Sequence, residues 1–167
     1  MQSNLLWSTH ILAIRKNIHN FLCILNKFKH KFNYASKIKL YYSFIFPHLI
    51  YCNIIWGKCP EYLLKLLLNC QKRFLRTIFN LKPADHSIEL FTKTKILSIH
   101  QINFYFQTLF TFKFIRNLLP PYYSDFLKYS NPSKHIITRQ NNIFYIKSSR
   151  LNLVNNSLSH TALKIWN

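Results

Sequence analysis

Leu40-Tyr41-Tyr42-Ser43-Phe44-Ile45-Phe46-Pro47-His48-Leu49-Ile50-Tyr51-Cys52-Asn53-Ile54-Ile55-Trp56-Gly57 is a run of 18 residues without Asp, Glu, Lys or Arg. Lys37 and Lys39 precede it and Lys58 follows it. Its length barely reaches what a helix needs to cross a bilayer. It also carries Ser43, Pro47, His48 and Asn53, which suit a protein core better than lipid. The run therefore reads as a buried core helix from Ala35 to Trp56, with Ile38, Tyr42, Ile45, Leu49 and Cys52 along one side. Pro47 removes a backbone donor and should kink or break it. A membrane span over 40–57 is the alternative. Gly57 through Pro60 ends the segment, and Pro60 suits the first position of a following helix.

Two amphipathic helices flank this run. His10 to Lys31 repeats Ile11, Ile14, Ile18, Phe21, Leu22, Leu25 and Phe28 at helical spacing, and Arg15, Lys16, His19, Asn20, Lys27 and Lys31 stay off that stripe. Ser8 or Thr9 offers a cap, and Asn33 to Ser36 reads as a turn. Glu61 to Leu81 presents Leu63, Leu64, Leu67, Cys70, Phe74, Leu75 and Ile78 on one face. On the other face Lys65, Asn69, Lys72 and Arg76 form a polar ridge, with Arg73 beside it. Glu61 in the first turn suits the helix dipole.

Beyond a loop around Pro83, a short helix is expected over Ser87 to Thr94 and a longer one over Ser98 to Leu119. The longer one offers Ile99, Ile102, Phe106, Leu109, Phe110 and Lys113-Phe114, and Pro120 with Pro121 stops it. From Ser130 the pattern weakens: Asn131-Pro132-Ser133 is a turn, Ile143 to Lys147 has β propensity, and the last apolar cluster is Leu163, Ile165 and Trp166. The fold class is mainly α, a three-helix bundle over 1–81, further helices over 82–129, and an irregular tail over 130–167 with a possible short β segment.

Composition narrows the function. The 167 residues hold 23 Lys and Arg against 4 Asp and Glu, a net charge of +19. One glycine excludes Gly-rich phosphate loops and a dinucleotide fingerprint. A hydrophobic content of 49% argues against simple disorder. Phe, Tyr, Met, Ile, Asn and Lys make up nearly half of the chain, and A/T-rich codons encode all six, so the placement of charges informs more than their number.

Catalytic constellations are absent. Asp85 and Glu89 flank His86 at helical spacing, but a cap and a solvated face account for them as well as a divalent ion does. Cys23, Cys52, Cys59 and Cys70 lack metal-ligand spacing and read as buried, reduced thiols. The eight histidines form no paired motif, and no serine has a nucleophile-elbow setting. Met1 to Leu12 shows no signal-peptide pattern. No metal, cofactor or small-molecule ligand is expected.

The basic residues are the informative class. Lys27, Lys29, Lys31, Lys37 and Lys39 bracket the first turn, and Lys65, Lys72, Arg73 and Arg76 line the third strong helix. If the two amphipathic helices pack side by side, both sets meet one phosphate backbone. A solvated face is the competing reading, yet +19 without an anionic partner repels itself.

The central run also resembles the segment that follows the palm in jockey-like non-LTR (LINE-type) retrotransposon reverse transcriptases, whose pattern there is L-Y-x-S-x-x-x-P-x-L-x-Y-x-x-x-x-W-G. Leu6-Trp7 with His10-Ile11 is similar to that family's W-x-x-H-I stretch. Gln71-Lys72-Arg73 with Arg76 resembles its Q-K-x-x-x-R helix, and Asn117-Leu118-Leu119-Pro120-Pro121 its N-x-L-P-P stop. Thr138-Arg139 and Trp166-Asn167 resemble its T-R and W-N tail. The family's usual Gly shortly before that Trp is replaced by surroundings that include His160 and Ala162.

The resemblance spans nearly the whole chain. It implies that His10 to Leu81 is the thumb, a helical bundle gripping the template–primer duplex, and that the remainder is the connection beyond it. The family's catalytic Tyr-x-Asp-Asp carboxylates have no counterpart among these residues, so no polymerase activity is expected of this chain alone. The implied partners are an RNA–DNA or RNA duplex backbone and the rest of the polymerase. The site residues are Lys27, Lys29, Lys31, Lys65, Lys72, Arg73 and Arg76, and the implied location is nuclear. A small basic membrane protein and a translated transposon relic without activity are the competing readings.

Overall fold

The computed structural model describes residues 7–82, 85–123, 150 and 157–166. The protein is mainly α-helical, and the described residues contain no strand. Two compact units divide the chain, 1–103 and 104–167. Pro83, the turn at Asn131 to Ser133, Thr138-Arg139 and the β segment expected over Ile143 to Lys147 lie outside the described residues.

The first unit is built on two long helices, α1 (Ser8–Phe28) and α5 (Glu61–Phe79). α1 buries Ile11, Ile14, Ile18, Leu22 and Leu25, and α5 buries Leu63, Leu64, Leu67, Cys70, Phe74, Leu75 and Ile78. Burying each large aliphatic side chain contributes about 1.5–3 kcal/mol. Phe21 and Phe28, expected in the stripe, are not core residues. Phe21 stacks on Phe44 at 5.0 Å, and Phe28 is largely exposed. The residue in the capping position of α1 is Trp7, in left-handed conformation, rather than Ser8 or Thr9.

Between them, the uncharged run forms no single helix. α2 (Tyr34–Leu40) starts where the Asn33 side chain accepts the Ser36 N–H at 2.8 Å. It passes into a π-turn over Tyr41–Ile45, whose closing bond runs from the Phe46 N–H to the Tyr41 carbonyl. α3 (Phe46–Ile50) follows with Pro47 in its first turn, where the missing donor costs nothing. Cys52 then adopts a left-handed conformation (φ 49°), which separates α3 from α4 (Asn53–Trp56). No helix among the described residues is long and apolar enough to cross a membrane.

The π-turn also corrects the expected core face. A wider turn brings every fourth residue to the same side, so Lys37, Tyr41, Ile45, Leu49 and Asn53 are the buried row. Tyr42 and Cys52, expected inside, face solvent, and Ile38 is half-buried.

Polar side chains lock this unit. Gln71 of α5 is fully buried: its amide donates to the Tyr41 hydroxyl (2.9 Å) and to the Leu97 carbonyl (3.0 Å), and its oxygen accepts the Ile99 N–H (2.8 Å). Asn53 donates to the Leu49 carbonyl (2.9 Å) and to Asn103 Oδ1 (2.7 Å), and Asn103 donates to the Gly57 carbonyl (2.8 Å). Trp56, wholly buried, donates its indole N–H to the Tyr51 carbonyl at 2.7 Å. These bonds carry the unit past residue 81, beyond α6 (Ile88–Thr94), to Leu97 and the start of α7 (Ile99–Ile115).

With one glycine in the chain, other residues make the left-handed stops. Asn80 (φ 54°) ends α5, Lys95 (φ 56°) ends α6, and Asn117 (φ 54°) closes α7, where the Leu118 N–H reaches the Lys113 carbonyl at 2.9 Å. α7 therefore stops before Pro120 and Pro121 rather than at them.

The second unit comprises the rest of α7, a 3₁₀ turn at Pro121–Tyr123, and α8 (Leu158–Trp166), which lies inside the tail expected to be irregular. Phe110 and Tyr123 meet edge to face at 5.9 Å. The buried row of α7 is more polar than expected: Asn103, Gln107 and Thr111 are buried, while Phe106, Leu109 and Phe110 are half-buried. Thr111 satisfies its hydroxyl on the Gln107 carbonyl at 2.9 Å.

Candidate nucleic-acid interface

α1 and α5 pack side by side and run in the same direction. Arg15 lies within electrostatic reach of Cys70, and one α-helical turn further His19 Nδ1 meets the Arg73 guanidinium at 3.0 Å. Both helices therefore bring their basic C-terminal halves to the same end of the bundle. That end carries Lys27, Lys29 and Lys31 from α1 and its 3₁₀ extension (Lys29–Lys31), and Lys72, Arg73 and Arg76 from α5.

Lys27, Lys31, Lys65 and Arg73 are exposed, and Lys29, Lys72 and Arg76 are half-buried. Lys65 stands apart from the others, seven residues or about 10 Å of helix before Lys72. Arg76 is partly engaged: its Nε–H donates to the Asp85 carbonyl at 3.0 Å and ties the loop after α5 to the helix.

Lys37 is a correction. Read with the basic set, it is buried, and its ammonium donates to the Ile78 carbonyl at 3.3 Å. It satisfies an orphaned carbonyl at the negative end of α5, where a cation is favoured. His19, left out of the site, belongs to the same surface, where Arg73 meets it directly. Arg15, Lys16 and His19 are exposed on α1. The position of His19 off the apolar stripe of α1 was the available signal.

Carboxylates do not neutralise this surface. Among the described residues no Lys or Arg lies in ion-pair distance of a carboxylate, and Glu61 faces His100 at 3.6 Å instead. The Asp85 side chain accepts the Lys82 N–H at 2.7 Å, and Glu89 lies exposed in the first turn of α6. Those two carboxylates serve a loop and a helix dipole, and no cluster of metal-ligating residues occurs among the described residues.

The cysteines divide. Cys59 and Cys70 are buried and Cys23 and Cys52 are exposed, all four as free thiols. Burial pushes the Cys59 thiol up to about 11 and raises that of Cys70. Neither is a nucleophile under ordinary conditions. Burial likewise raises the Tyr41 phenol, against the opposing hydrogen bond from Gln71.

The exposed cations of this arrangement are suited to attract a polyanion. No protein-family model, curated protein or solved structure matches the chain.

Proposed function

We propose that this chain binds the nucleic-acid backbone without sequence preference, as the thumb and connection part of a non-LTR retrotransposon reverse transcriptase lying beyond the catalytic palm. Alone it catalyses nothing. The observation that carries the binding is the shared basic end of α1 and α5, where Lys27, Lys31 and Arg73 are exposed and the described residues supply no carboxylate partner. A phosphate backbone is the complementary polyanion, because it offers several anionic groups to the clustered cations.

The structural roles of the motif residues favour the family reading. Of the residues that carry the resemblance, Tyr41, Leu49, Trp56, Gly57 and Gln71 are buried in the first unit, while Ser43, Pro47 and Tyr51 are exposed. The buried part of the pattern supports that reading because it also holds the first unit together.

Charge reversal tests the binding. Lys72→Glu with Arg73→Glu is expected to weaken binding of an RNA–DNA duplex at least tenfold by fluorescence anisotropy, with the thermal transition retained. Unchanged affinity removes the α5 ridge from the interface. Sequencing the transcript upstream of the Met1 codon tests the family reading. An uninterrupted frame encoding a Tyr-x-Asp-Asp palm is expected, and unrelated sequence contradicts it.

A further inference from the structure

The turn that joins α1 to α2 exposes aromatic rings among its lysines. Phe28 is 45% exposed, Phe32 38% and Tyr34 50%, and Phe79, from the last position of α5, is 36% exposed. The Tyr34 and Phe79 rings meet at 6.1 Å, and Lys31 Nζ stands 5.7 Å over the Phe28 ring. Lys27, His30 and Lys31 are exposed in the same turn, with Lys29 half-buried. The scaffold beneath is fixed by the Lys37 ammonium on the Ile78 carbonyl and by the Asn33 cap of α2.

Exposed rings clustered in one place mark a surface that something covers. The lysines between them select an anionic occupant over an apolar one. A paired duplex offers phosphates but keeps the faces of its bases stacked inside. Along a nucleic acid, unpaired nucleotides present a phosphate and a free π-face together at every position, which is the pairing of groups that this turn matches.

We propose that the α1–α2 turn is a stacking platform for unpaired bases of a single-stranded nucleic acid. Phe28, Phe32, Tyr34 and Phe79 offer ring faces, and Lys27, Lys29 and Lys31 hold the flanking phosphates. The proposal rests on the preceding reading and adds to it the kind of strand that the basic end receives.

The test uses the full chain with two fluorescein-labelled probes, an oligothymidylate and a blunt RNA–DNA duplex of the same length. Phe32→Ala with Tyr34→Ala is expected to weaken oligothymidylate binding about tenfold and to leave duplex binding unchanged. Tyr34→Phe keeps a ring and should bind like the parent. Tyr51→Ala removes a ring that is 70% exposed elsewhere in the first unit and should also bind like the parent. Thermal transitions confirm that each variant folds.

If the double variant binds oligothymidylate as the parent does while Lys72→Glu with Arg73→Glu still weakens the duplex, the platform is wrong and the backbone reading stands. If the parent binds neither probe, both fall. If the double variant loses only self-association in sedimentation, the rings belong to a second copy of the chain and the platform is rejected.

Discussion

Gly57 has an ordinary φ of −62°, so conformational freedom does not explain it. Space does. A Cβ there would lie 2.6 Å from the backbone carbonyl oxygen of Asn53, which accepts the Gly57 N–H, and 2.9 Å from Asn103 Oδ1, part of the buried amide network. Gly57→Ala should cost about 1–3 kcal/mol, read as a lower midpoint in urea unfolding. The opposite sign is expected at Lys95, a non-glycine residue at φ 56°. Lys95→Gly relieves that strain and should stabilise the chain by about 0.5–1 kcal/mol in the same assay. Titration adds a third expectation. Cys59 and Cys70 have folded pKa values raised by burial, Cys59 from 9.0 to about 11, and Tyr41 is raised likewise. A raised folded value favours the neutral form, so the Cys59 contribution is full below pH 9 and is lost as pH climbs toward 11, and the raised values of Cys70 and Tyr41 act in the same direction. Lys58, lowered by burial, opposes this on its own. The melting temperature should fall over that interval, and Cys59→Ala should flatten part of the fall.

At the scale of elements, Gln71 joins α5 to the π-turn and to the start of α7 with three hydrogen bonds. Gln71→Leu removes the amide but leaves the Leu97 carbonyl, the Ile99 N–H and the Tyr41 hydroxyl to find other partners. It should cost about 2–4 kcal/mol, seen as earlier unfolding by circular dichroism. The helices themselves were legible in the sequence. The apolar spacing in α1 and α5 marks their buried faces, because a regular helix converts spacing directly into direction. What was not legible lies where regularity fails. The π-turn at Tyr41–Ile45 changes the period from that of an α-helix where Tyr41 replaces Tyr42 on the inner side, and the left-handed break at Cys52 accompanies the exchange of Cys52 for Asn53. Periodicity also cannot show that Lys37, a charged residue, closes the end of α5 from 41 residues away. The buried polar residues Asn103, Gln107 and Thr111 in α7 are hidden because polarity marks solvent in a pattern: Asn103 is held inside by long-range hydrogen bonds, and Thr111 satisfies its hydroxyl locally on the Gln107 carbonyl.

For the molecule as a whole, +19 on 167 residues requires a partner or a penalty in self-repulsion. The basic candidates were visible as positions off the apolar stripes. Their grouping was not, since it depends on α1 and α5 running the same way and so concentrating charge at one end. The central claim is that this end binds nucleic acid through its phosphates, and the affinity for an RNA–DNA duplex as a function of salt tests it most directly. Release of counterions predicts a linear fall of log K with log salt between roughly 50 and 200 mM, with a total loss of about a thousandfold or more. Reversing Lys72 and Arg73 should make that slope shallower by about one unit for each phosphate that is no longer neutralised. An affinity that does not change with salt, or no binding at the lower concentration, would contradict the claim.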